Sequence, residues 1–124
     1  FVPQEDIEVT HQDQQRINNF ATWNLKYKDY IGEHEQKKKD LENLNDAEDE
    51  LILSDCDSHR FLIGETFFHL STDEVNEELN SAKDATRMRM TELDELISES
   101  KAKMQTLKRE LYAKFGTHIN LEED

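Results

Sequence analysis

Asp55, Cys56, Asp57 and His59 form the one short run whose residue types could do chemistry. Carboxylate, thiolate and imidazole are all metal ligands, and Cys56 close to His59 has the composition of an activated nucleophile. Neither chemistry is completed. A zinc site needs a second Cys/His pair, and the run lacks the glycine and distal glutamate of a calcium loop. Nothing near Cys56 builds an oxyanion site or a substrate pocket. The run reads as a solvated turn. Lys37-Lys38-Lys39 has the look of a nuclear-import or nucleic-acid patch, yet it sits among 29 acidic residues and reads as a solvated face. The carboxylates show no acid–base pairing, the five histidines are scattered, and no glycine loop cradles a phosphate. His34 and His69 fall on helix-seam and strand positions. An enzyme, a metal centre and a bound cofactor are therefore not expected.

Composition narrows the class further. The chain has 124 residues, 35% hydrophobic and 35% charged, with three glycines and one proline. That apolar content is low for a globular core, and the near absence of breakers favours extended helices. A net charge of -14 argues against phosphate neutralisation, so nucleic acid is not an expected partner. The single Cys56 excludes an internal disulfide and suits a reducing compartment. No apolar run approaches the roughly 18 residues of a membrane span, and no secretory h-region is present. The first residue is Phe1 rather than Met, so a few residues ahead of it could be missing or removed.

The elements that must position any function are two long helical arms around a short β segment. Residues 1 to 9, with Pro3, form a loose lead-in. Thr10 is a candidate cap for a first helix over 10–53, with Asp13 favouring its positive end. A three-four seam runs through Ile17, Phe20, Asn24, Tyr27, Ile31, His34, Lys38 and Leu41, then out of register through Leu44, Ala47 and Leu51. Residues 59–70 read as two short strands around Gly64-Glu65. Their apolar groups are expected on both faces, with Phe61, Ile63 and Phe67 opposite Leu62, Phe68 and Leu70. Ser71 and Glu74 are spaced as a capping box for a second helix over 72–115. Its seam runs Leu79, Ala82, Thr86, then Met90, Leu93, Ile97, Ser100, Met104, Leu107 and Leu111. Gly116 is expected to end it, leaving a tail over 116–124. At 1.5 Å per residue each arm of about 40 residues spans roughly 60 Å. The expected fold class is mostly α: a long antiparallel two-helix coiled coil with one β-hairpin between the helices, in a single domain over 1–124.

Three stretches carry a family likeness. Asp13-Gln14-Gln15-Arg16-Ile17-Asn18-Asn19-Phe20, Ile63-Gly64-Glu65-Thr66-Phe67-Phe68 and Leu111-Tyr112-Ala113-Lys114-Phe115-Gly116-Thr117-His118-Ile119-Asn120-Leu121-Glu122 resemble the β-class subunits of the prefoldin family. The resemblance covers most of the chain in the same order, and its C-terminal stretch is the most specific. It implies a heterohexamer with other α- and β-type subunits, in which hairpins form β-barrels and the coiled coils hang as tentacles. It further implies cytoplasmic, ATP-independent capture of non-native polypeptides, chiefly actin and tubulin, and their delivery to the cytosolic chaperonin. The first arm departs from the family pattern at Thr22-Trp23-Asn24-Leu25 and Lys26-Tyr27-Lys28-Asp29-Tyr30, which are unusually aromatic.

Two candidate surfaces follow. The hairpin residues Phe61, Leu62, Ile63, Gly64, Phe67, Phe68 and Leu70 are the expected assembly surface, since a lone hairpin is marginal in water. The far ends of the arms hold Ile17, Phe20, Trp23, Leu111, Tyr112, Phe115, Ile119 and Leu121, more apolar groups than a two-stranded seam can bury. Ile17, Phe20 and Leu111 lie on that seam and are expected to pack, whereas Trp23, Tyr112 and Phe115 lie off it. Such a patch marks an interaction site, here a client-binding tip, and several copies would gain by avidity. A structural coiled-coil scaffold that dimerises through its seam and holds no clients is the alternative.

Overall fold

A computed structural model describes residues 8–52, 58–63 and 66–121, with side chains described for 8–52 and 73–121. The order is α1 (His11–Ile52), β1 (Ser58–Ile63), β2 (Thr66–Ser71), α2 (Thr72–Phe115) and a 3-10 turn over Gly116–His118. Residues 1–7 of the expected lead-in over 1–9, the run Asp55-Cys56-Asp57, the link Gly64-Glu65 and the last residues 122–124 lie outside the described residues. By packing, the chain divides into two compact units, Phe1–Gly32 with Asp94–Asp124, and Glu33–Leu93.

α1 begins where the side chains say it should. The Asp13 N–H donates to Thr10 Oγ1 at 3.1 Å, and the Thr10 N–H donates back to Asp13 Oδ2 at 3.0 Å. This is a reciprocal capping box with aspartate in the usual glutamate position, more than the single cap expected. α2 ends at Gly116, whose φ of 55° is left-handed and suits a residue without a Cβ. A Cβ built there would meet nothing within 4 Å, and the same holds at Gly32 inside α1. The two sites therefore separate backbone effects from packing. Gly116→Ala should destabilise by about 1 kcal/mol, while Gly32→Ala should stabilise by about 0.5–1 kcal/mol. Urea melts followed by helical circular dichroism should show midpoints moving in opposite directions.

In the unit Glu33–Leu93 the two helix segments run antiparallel. Leu51, Val75 and Leu79 form a buried cluster, with Leu44 and Ala47 packed against it. Each such leucine buried contributes about 2 kcal/mol. Lys83, itself buried, donates to Glu48 Oε2 at 2.9 Å beside this cluster. Arg89 forks onto Glu33 through Nε at 2.6 Å and Nη2 at 3.0 Å, and also reaches Glu92. The fork holds the Glu33 carboxyl below its ordinary range.

The expected α1 seam is corrected at two places. Ile31 is 38% exposed and Lys38 is exposed, whereas Lys37 is half-buried. A helix of 3.6 residues per turn drifts from a strict seven-residue pattern, so inward positions shift by one along a long arm.

The strands correct the expected faces as well. β1 and β2 pair antiparallel, with Phe61 opposite Phe68, Leu62 opposite Phe67 and Ile63 opposite Thr66. Paired residues share a face and neighbours along a strand alternate. One face thus takes positions Phe61, Ile63, Phe68 and Leu70, together with His59 and Thr66. The other takes Leu62 and Phe67, together with Ser58, Arg60, His69 and Ser71. The expected grouping of Phe67 with Phe61 fails because only two residues separate the paired Ile63 and Thr66, which reverses the parity. One face is mainly apolar and the other is mixed.

Candidate functional site

The unit Phe1–Gly32 with Asp94–Asp124 brings the predicted tip residues together, and its core keeps the expected seam positions of α2 and adds one. Ser100, Met104, Leu111 and Phe115 are all buried, at steps of four, seven and four. That is an eleven-residue repeat, 3.67 residues per turn, which a slightly relaxed helix keeps on one side. Phe115, expected off the seam, is therefore on it and only 5% exposed. Phe20 and Leu111 are buried as expected. Ile17, Trp23, Tyr112, Ile119 and Leu121 are half-buried. Among the described residues of this unit, Val9 and Leu25, which the sequence reading did not single out, are more than half exposed. Neither sits at a periodic position, so no pattern in the sequence marks them.

Two devices hold this surface in place. At one edge, Asp13 is only 2% exposed although it is a carboxylate. It accepts from Lys114 Nζ, from Arg16 Nη1 at 3.2 Å and from the Thr10 N–H, so the first turn of α1 is fastened to the last turn of α2. Arg16 Nε also donates to Glu110 Oε2 at 3.2 Å. At the other edge, the Leu121 N–H donates to Tyr112 Oη at 3.3 Å. The chain after Gly116 therefore folds back on α2, which is why Ile119 and Leu121 are half-buried rather than bare.

The Lys114 ammonium, then the Thr10 N–H, pull the Asp13 carboxyl from its ordinary 3.8 to about 2. Because folding lowers this pKa, its stabilising contribution is full above about pH 4 and is lost as pH falls through about 2. Asp13→Asn should melt earlier than the parent chain at neutral pH, and the gap should close across that acid window. Thermal melts of both chains at stepped pH check this. A gap independent of pH would assign the loss to the cap alone.

Beside the tip, α2 presents a stripe of Lys101, Gln105, Lys108, Arg109 and Tyr112, at helical steps of four, three, one and three. An open groove of about 730 Å³ is lined by Gln105, Lys108, Arg109, Tyr112 and Ala113. A smaller cleft of about 60 Å³, lined by Tyr27, Lys101, Met104 and Gln105, adjoins it at Gln105. Lys108 Nζ lies 5.8 Å from the Tyr112 ring centroid, and Lys26 Nζ lies 4.7 Å from that of Trp23, both within cation–π reach. Among the described residues no group of three His, Cys, Asp or Glu is placed to hold a metal, and no helix is long and apolar enough to cross a membrane. The arrangement offers apolar and aromatic contact surface and cationic hydrogen-bond donors.

Comparison with known proteins fits this architecture to a family. The family described as Prefoldin subunit matches residues 14–118, from the first turn of α1 through both strands and α2 to His118. The chain belongs to the prefoldin family. It is 39% identical to prefoldin subunit 4 of Homo sapiens over 97% of this chain and 91% of that one. It is 33% identical to a probable prefoldin subunit 4 of Drosophila melanogaster, over 98% and 89%. With prefoldin subunit 4 of Saccharomyces cerevisiae the identity is 31% over 94% and 92%. In prefoldin terms, the two long helices are the arms of the coiled coil, and the Asp13–Lys114 fastening joins one arm's start to the other's end.

Proposed function

We propose that this prefoldin chain is one subunit of a heterohexameric, ATP-independent holdase in the cytoplasm. Its β segment assembles the complex with other α- and β-type subunits. Its arm ends hold non-native polypeptides such as actin and tubulin and pass them to the cytosolic chaperonin. The observation that carries the reading is the two-stranded ribbon with one mainly apolar face, set between two long helices in a chain that the family matches from 14 to 118. A two-stranded ribbon is marginal by itself and gains stability when other strands extend it. Unlike subunits supply those strands. Half-buried Ile17, Trp23, Ile119 and Leu121, with exposed Val9 and Leu25, supply the apolar contact surface for clients.

Light scattering tests the assembly reading. The chain alone should give no defined oligomer, and mixing with the other prefoldin subunits should give a six-chain mass. A stable homodimer indifferent to those subunits would replace the proposal with a coiled-coil scaffold.

A further inference from the structure

The basic stripe on α2 is not explained by holding apolar clients, and it stands out against the charge of the chain. Residues 101–114 contain five Lys or Arg and one Glu, and residues 14–28 contain three Lys or Arg and no acid. By contrast, residues 33–93 contain seventeen Asp or Glu and seven Lys or Arg. A uniformly acidic surface would serve solubility; a concentrated basic strip on an acidic chain does something else. Some of these cations are spent within the fold, Arg16 on Asp13 and Glu110, and Lys114 on Asp13. Lys101 and Arg109 are exposed and, among the described residues, meet no carboxylate. They flank Gln105 in the groove, with Lys108 and Tyr112 beside them.

We infer that the groove over Lys101, Gln105, Lys108, Arg109 and Tyr112 docks a short acidic segment of a partner polypeptide in extended form. Lys101 to Tyr112 spans about 17 Å of helix, the length of about five extended residues. Arg109 offers a planar fork that takes a carboxylate on two bonds, and Lys101, two turns before it, offers a point charge. Tyr27 and Tyr112 line the two clefts and give an aromatic or apolar side chain of the same segment something to lie on. The strip is short, and that favours a peptide over nucleic acid. Ahead of it α2 turns acidic at Asp94, Glu95 and Glu99, which repels a polyphosphate that continues past the groove but not a peptide whose acids end there. This inference does not rest on the holding function, because a partner that is already folded can present such a segment.

The test uses the full chain in its assembled complex and a fluorescein-labelled Glu-rich peptide with a central Phe. Anisotropy should show saturable binding that weakens with salt, and a Lys-rich peptide of the same length should not bind. The Lys101→Gln/Arg109→Gln pair should weaken binding about tenfold. Lys38→Gln/Lys39→Gln makes the same change in net charge on exposed residues elsewhere and should leave binding unchanged. Equal loss in both pairs, or loss in neither, would overturn the site. So would oligothymidine binding as tightly with the same sensitivity to Lys101 and Arg109. Peptide binding that requires removal of residues 122–124 would give the groove to the chain's own acidic end and overturn the partner assignment. Suppression of aggregation of a denatured protein, measured on the same variants, reads the holding function separately and is expected to be unchanged.

Discussion

Ile63→Glu with Phe68→Glu should abolish the six-chain complex while leaving the helical dichroism of the chain intact. The two positions share the mainly apolar face of the ribbon, with Phe61 and Leu70. Each substitution removes about 2 kcal/mol of apolar burial, and each places a carboxylate where a subunit interface would have to desolvate it. The combined cost exceeds the roughly 8 kcal/mol that holds a micromolar complex together. Leu62→Glu with Phe67→Glu is the informative comparison. It changes the mixed face, where Arg60 and His69 can offset charge, and should weaken assembly far less. Sedimentation of each variant with the other subunits gives the answer. A complex that survives the first pair, or two pairs with equal effect, would remove the ribbon face from the assembly surface.

The second large effect concerns the arm ends. Ile17, Trp23, Ile119 and Leu121 changed together to Ser should leave assembly intact while lowering the melting midpoint, since all four are half-buried and each gives up part of its apolar burial. The complex should then need about ten times more protein to keep a denatured client from aggregating, as several weak apolar contacts are lost at once. Removing residues 1–23 and 112–124 would abolish holding too, but it also takes away buried Phe20, Asp13 and Phe115, so the arms would fray. The four-residue variant separates surface from core. Full protection by that variant, with assembly intact, would move the client site off these ends.

Much of this was legible in the residues because it depends on local chemistry. Thr10 with Asp13 announces a helix start, Gly116 announces a helix stop, and a run rich in β-branched and aromatic residues between two polar arms announces strands. What could not be read depends on phase carried over distance. Phe115 looks off-seam if the count is held at seven, and becomes core once the count is eleven over three turns. Ile31 looks inward on the same strict count and is turned out. Asp13 was legible as a cap, but its burial was not, because Lys114 lies 101 residues away in sequence. The groove was half visible: the helical steps from Lys101 to Tyr112 are in the sequence, but Tyr27 joins them only through packing.

The pairing of Ile63 with Thr66 also bears on how this surface can change over time. With two residues in the link, Phe61 shares its face with Phe68 and Leu70. A slip of one residue would pair Ile63 with Phe67 and Phe61 with His69, and the four apolar positions would be split between the two sides. Lineages that keep assembling through this ribbon should hold that register fixed, so that a change slipping one strand past the other by a single residue would undo more than several point substitutions that leave the pairing alone.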